Sequence, residues 1–178
     1  MKPKISTRNL VLVSILTAIS VVLSRFVSIP VMIYGIKGIN FGIGMLPVIF
    51  SGFITAPVYG AICGAVADIV GYLIKPEGAY LPLFTITSAL TGFLPAFLMR
   101  VTKKRTDGYT FVSLLLCIAV SQTITSIALN SLWLTILFGR AFFALLLPRA
   151  ISQLVLIPVF ATLCYYMLRQ YKKSFGDL

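Results

Sequence analysis

The 178-residue chain predicts an all-α integral membrane protein, a six-helix transmembrane bundle forming one membrane domain. Three observations carry that expectation. The mean hydropathy is +1.02, with 59% hydrophobic and 11% charged residues, which excludes an ordinary water-soluble domain. The apolar residues fall into runs near the ~20 residues that a helix needs to cross a hydrocarbon core. Ten of the fifteen basic residues flank those runs in three clusters: Lys2, Lys4 and Arg8; Arg100, Lys103, Lys104 and Arg105; Arg169, Lys172 and Lys173. Clusters of this kind mark cytoplasmic loops.

The first span covers about residues 9–27. Its basic, then apolar start is shaped like a secretory leader, but no small-residue cleavage site follows, so it reads as a retained helix. An irregular stretch over 28–40, with Pro30, Gly35 and Gly38, leads into an apolar run over 41–74 that is too long for one crossing. Pro57 is the natural break, since proline ends a helix and restricts the residue before it. The run then divides into a short, glycine-rich span 2 (41–54), tilted or partly unwound, and span 3 (57–74). A turn-rich loop over 75–82 precedes span 4 (83–101). Span 5 (109–138) is long enough to tilt. Gly139 and Arg140 mark a turn before span 6 (142–171). An even number of spans puts both termini on one side, the cytoplasmic side by the clustered charge, and the loops at 28–40, 75–82 and 139–141 outside.

The net charge of +11 points to a partner surface. Its placement beside apolar runs favours anionic lipid headgroups of the bilayer over nucleic acid. There is no histidine, and Cys63, Cys117 and Cys164 each lie alone in an apolar run as free thiols. No P-loop, metal-ligand spacing or nucleophile–base pattern is present, so the sequence implies neither catalysis nor a cofactor.

Five basic residues break the charge rule: Arg25, Lys37, Lys75, Arg140 and Arg149 sit at the outer ends of the spans. Counting residues inward, Arg25, Asp68, Asn130, Arg149 and Gln153 fall about 3–16 Å below the outer surface at ~1.5 Å per residue. Polar groups at such depth usually face a bundle interior or a cavity. Asn130 and Trp133 are three apart, and Arg149 and Gln153 four apart, so each pair shares a helical face. Plainer readings exist for each residue. Arg25 can snorkel to headgroups, Asp68 can neutralise Arg25 or Arg149, Asn130 can bridge two helices, and Trp133 can join an interfacial belt. Jointly they suggest an outward pocket for an anion with a flat ring. In span 1, Ser14 and Ala18 form a small-residue pair that lets another helix approach closely.

Several segments carry a family resemblance: Ala67-Asp68-Ile69-Val70-Gly71, Pro76-Glu77-Gly78-Ala79-Tyr80 leading to Phe84-Thr85, Leu129-Asn130-Ser131-Leu132-Trp133-Leu134, and Leu147-Pro148-Arg149 with Pro158 beyond. Over nearly its whole length the chain resembles the S components of energy-coupling factor (ECF) vitamin transporters, and within them the folate-specific branch. It departs at Pro82-Leu83-Phe84-Thr85, where the family often has Pro-Gly-Phe-Thr. The resemblance implies a subunit that captures folate or a reduced folate outside the cell membrane. It also implies a transmembrane coupling protein and two cytoplasmic ATPase subunits as partners, and toppling of the S component during transport. Ser14 and Ala18 match its contact with the coupling protein, and Tyr80 and Phe84 join Arg25, Asp68, Asn130, Trp133, Arg149 and Gln153 as expected binding residues. On this reading Trp133 stacks on the pterin, Asn130 and Asp68 meet its polar edge, and Arg25 or Arg149 takes the glutamate tail. An S component for pantothenate or thiamin, a small membrane enzyme and a channel are the alternatives. The five outward basic residues disfavour cationic thiamin, pantothenate lacks a ring that would use Trp133, and the apolar inner halves of the spans disfavour a channel.

Overall fold

A computed structural model describes residues 7–27, 29–33, 36–76, 80–103, 110–138 and 142–175. Lys2, Lys4, Glu77, Lys104, Arg105 and the expected turn at Gly139-Arg140 lie outside the described residues. Helix α1 (Thr7–Val22) widens into a π-helical turn (Leu23–Val27). Strands β1 (Ile29–Ile33) and β2 (Ile36–Phe41) follow, then α2 (Met45–Ile54), α3 (Pro57–Ile74) and α4 (Pro82–Lys103). Helix α5 (Phe111–Gln122), a π-helical segment (Thr123–Leu129) and α6 (Asn130–Phe138) form one continuous run, and α7 (Phe142–Phe175) closes the bundle.

Two expectations need correction. The stretch over 28–40 contains an antiparallel hairpin, with Ile29 opposite Phe41 and Val31 opposite Ile39. Its glycines and proline suggested irregularity, but Ile29, Val31, Ile33, Ile36 and Ile39 are β-branched residues suited to strands. Span 2 is also shorter than expected, because Phe41 belongs to β2 and α2 begins at Met45. It is a regular helix rather than an unwound one. Its ten residues rise about 15 Å, half of a hydrocarbon core. Among the described residues, five other helical runs are long and apolar enough to cross a membrane. Every residue of α2 from Leu46 to Ile54 is buried. A helix sheathed by its neighbours need not match the bilayer in length.

Three contacts at successive turns fix how α3 meets α4. Gly60 lies against the Gly92 carbonyl, Gly64 against the Ser88 carbonyl, and Asp68 against Thr85. One series climbs as the other descends, so the helices are antiparallel. A β-carbon at Gly60 or Gly64 would overlap those carbonyls, and one at Gly52 of α2 would come within 2.5 Å of the Gly92 carbonyl. Three backbones therefore converge on Gly92. Close small-residue crossings of this kind hold membrane helices together by van der Waals contact.

Helices α1 and α3 run parallel in one register. Thr17 donates to Cys63 Sγ at 3.3 Å, and two turns on Arg25 rests on Gly71. The hairpin leaves and returns at one end, since Ile29 pairs with Phe41 and Ser20 donates to the Gly44 carbonyl, so α2 alone carries the chain back along the bundle between α1 and α3. Val48, Ile49, Cys63, Leu114, Ile118, Ala161 and Cys164 are fully buried at the centre. Large apolar side chains such as Phe26, Leu73 and Leu154 cover the outside, as expected for lipid contact. At one end of the bundle, Arg100 donates to the Thr55 carbonyl at 2.9 Å and Tyr171 packs on Phe50. The α2–α3 turn, the end of α4 and the basic end of α7 thus share that end.

Candidate ligand-binding site

The opposite end gathers the C-terminal turns of α1 and α3, the start of α4, the π segment with α6, and the N-terminal half of α7. Those elements carry the polar residues expected at one outer level. Arg25 sits in the π-helical turn that ends α1. Its guanidinium crosses to α3, where a β-carbon at position 71 would meet its Nε at 2.7 Å and an Nη at 3.0 Å. Its other Nη lies 3.5 Å from the Lys75 carbonyl, at the limit of a hydrogen bond. Arg25 is therefore laid along α3 by a glycine that leaves room for it.

Asp68 lies one turn above Gly64 on the α4-facing side of α3. Its Oδ2 accepts from Thr85 Oγ1 at 2.7 Å, and Thr85 Oγ1 lies 2.8 Å from the Tyr80 hydroxyl. The Thr85 proton is committed to the carboxylate, so Tyr80 donates to Thr85. Tyr80 also packs on Tyr72, with ring centroids 5.2 Å apart. Asp68 is the one acidic side chain among the described residues. Its observed partner is a hydroxyl, where the sequence had left open a neutralising role towards an arginine. Phe84 is half-buried in the first turn of α4, one residue before Thr85.

Trp133 on α6 reaches the same helix. Its Nε1–H donates to Thr87 Oγ1 at 3.0 Å, tying it to the bundle interior. Asn130 begins α6, one turn below Trp133, and its Oδ1 is buried without a hydrogen-bond partner. Arg149 and Gln153 of α7 both reach Ser126 in the π segment. Arg149 donates to the Ser126 carbonyl at 3.0 Å, and Gln153 Nε2 bonds to its hydroxyl at 2.6 Å. Arg149 and Gln153 are 8% and 7% exposed, deep for such polar groups in a membrane bundle. Gln153 Oε1, like Asn130 Oδ1, is buried with no partner. Buried acceptors left open suit a ligand that carries N–H donors.

Sequence reasoning missed Thr87 and Ser126, and saw Thr85 and Gly71 only as parts of motifs. A signal for Ser126 existed, because Ser126, Asn130 and Trp133 recur on one face at the i, i+4, i+7 spacing. Ser14 and Ala18 lie elsewhere, on an exposed face of α1 with Val11, Ile15 and Val22. The close packing inside the bundle uses Gly60 and Gly64 instead.

A family model described as "ECF-type riboflavin transporter, S component" matches residues 4–173. The chain belongs to the ECF transporter S-component family. A curated relative, the folate transporter FolT of Clostridium novyi (strain NT), is 30% identical over 156 residues, covering 88% of this chain and 85% of the relative. The crystal structure of a FolT bound with folic acid superposes with a TM-score of 0.76 at 27% identity, covering 94% of this S component and 96% of that chain. The S component for biotin from an ECF-type transporter has the same fold, with a TM-score of 0.73 at 17% identity, covering 97% and 95%. The membrane bundle expected from the sequence is therefore the S-component fold.

Proposed function

We propose that this S component captures folate or a reduced folate at the end of the bundle built by Arg25, Asp68, Trp133 and Arg149. The observation that carries the reading is the presence of three unlike chemistries at one end of the bundle. An indole held by Thr87 supplies a stacking face. Asp68 and the open acceptors of Asn130 and Gln153 meet a donor-rich ring edge. Two arginines suit carboxylates, since a guanidinium pairs with them bidentately. Folate combines a flat pterin with amine and ring N–H donors and a dicarboxylate tail. The similarity to FolT proteins supports the same ligand.

The chain acts as a binding subunit rather than an enzyme and lies in the cell membrane as one domain with both termini cytoplasmic. Arg100 and the basic end of α7, at the end opposite the site, support that orientation under the charge rule. Transport then needs a transmembrane coupling protein and two cytoplasmic ATPase subunits. The exposed Ser14 and Ala18 offer a flat, small-residue strip on α1 for the coupling protein.

A second reading has one observation in its favour, the riboflavin description of the matching family model. Riboflavin also has a flat ring with a polar edge. It carries no anionic group, so Arg25 and Arg149 would have no carboxylate to meet. Calorimetric titration of the purified chain with folic acid and with riboflavin separates the two. Binding of folic acid with no heat from riboflavin supports the first, and the reverse result supports the second.

A further inference from the structure

Trp133 is the lone tryptophan of the chain. Its ring is half-buried on α6, and its single polar atom points to another helix. The acceptor there, Thr87, is 3% exposed. Thr87 Oγ1 donates in turn to the Leu83 carbonyl at 3.0 Å, which fixes the hydroxyl rotor on α4. With its proton spent on Leu83, the oxygen presents a lone pair to the indole N–H. An indole has one donor, and in an apolar surrounding that donor is costly to leave open. Packing alone leaves an aromatic ring two broad settings about χ2. The bond to Thr87 selects one of them.

We infer that Thr87 is a positioning residue: the Trp133–Thr87 bond fixes the plane of the indole on which the ligand's flat ring stacks, so Thr87 sets affinity for the ring without touching the ligand. The inference rests on the folate reading above and makes α4 a shared frame. Thr85 orients Asp68, and Thr87, two residues on, orients Trp133. A shift of α4 would then move both the stacking face and the carboxylate.

The test uses the full chain in detergent micelles, with emission from its lone tryptophan and calorimetric titration read on the same samples. Thr87→Val removes the acceptor and nearly keeps the side-chain shape, and Thr87→Ser keeps the acceptor. The expected result is a shifted emission maximum in ligand-free Thr87→Val. Folic acid affinity should fall about three- to tenfold, the range of an aromatic stacking contact. Affinity for p-aminobenzoyl-glutamate, which lacks the pterin, should stay unchanged, and Thr87→Ser should match wild type. Wild-type emission and affinity in Thr87→Val overturn the inference. A second arm covers a poorly folding valine variant: in a Trp133→Phe background, which has no N–H, Thr87→Ala should cost no further affinity. An equal cost in both backgrounds means Thr87 acts elsewhere and also overturns it. Failure of the wild-type chain to bind folic acid at all sinks the folate reading instead, while unchanged ligand-free emission in Thr87→Val counts against the positioning role alone.

Discussion

The guanidinium of Arg25 lies on α3 at Gly71, so close that a β-carbon there would come within 2.7 Å of Nε. The clash would fall on the movable end of a long side chain and leave the helix backbone free of strain. Gly71→Ala should therefore displace Arg25 without unfolding the bundle. We expect folic acid affinity to fall about tenfold, in line with loss of a charge-assisted hydrogen bond, and thermal unfolding to stay near wild type. Calorimetry and a melting curve on one preparation check both.

Arg25→Ala and Arg149→Ala should weaken folic acid more than pteroic acid, which lacks the glutamate. A loss of about ten- to a hundredfold for folic acid corresponds to one charge-assisted bond. Arg149 also holds the Ser126 carbonyl, so its variant should melt earlier than that of Arg25. Equal loss for both ligands in both variants contradicts the assignment of the arginines to the tail.

Asp68→Asn keeps the size of the side chain and removes its charge. The ring edge then loses its anionic acceptor, and affinity should drop for folic acid and pteroic acid alike, by about tenfold or more. Thr85→Val frees the carboxylate from its hydroxyl partner and cuts the link to Tyr80. It should have a smaller effect of the same pattern in competition binding.

Gly64 differs from Gly71 because backbone stands in the way. A β-carbon at position 64 would overlap the Ser88 carbonyl, and neither helix can yield cheaply. Gly64→Ala should destabilise the bundle by about 1–3 kcal/mol, the usual range for overpacking, read as a lowered melting temperature in detergent. Any loss of ligand affinity should follow that loss of fold.

Ser14→Trp and Ala18→Trp add bulk on an exposed face of α1, remote from the site. Folic acid binding by the isolated chain should stay unchanged. Uptake by cells that carry the complete transporter should fall sharply, and co-purification of the coupling protein should be lost.

Much of this was legible in the sequence, for physical reasons that also mark the limit. Apolar length, the break at Pro57 and the basic clusters reveal the helices because a bilayer imposes a length and a charge rule. Asp68, Asn130, Arg149 and Gln153 stand out because such groups are costly in a membrane core. Thr85 and Thr87 do not stand out, and Ser126 does so only through its spacing to Asn130 and Trp133. A hydroxyl in a helix can satisfy itself on the carbonyl four residues back, as Thr91, Ser121 and Thr125 do, so it need not signal a site. The short α2 and the crossing at Gly92 were hidden as well, since both depend on which helices become neighbours. The hairpin was obscured by Pro30, Gly35 and Gly38, which read as breakers when taken one at a time.

The most direct test of the central claim is titration of the purified, ligand-free chain with folic acid, after mass spectrometry of the small molecules released on denaturing it. The account predicts a folate-type compound in the released fraction and saturable one-to-one binding on titration. No folate-type compound, and no binding of folic acid or a reduced folate, would contradict it.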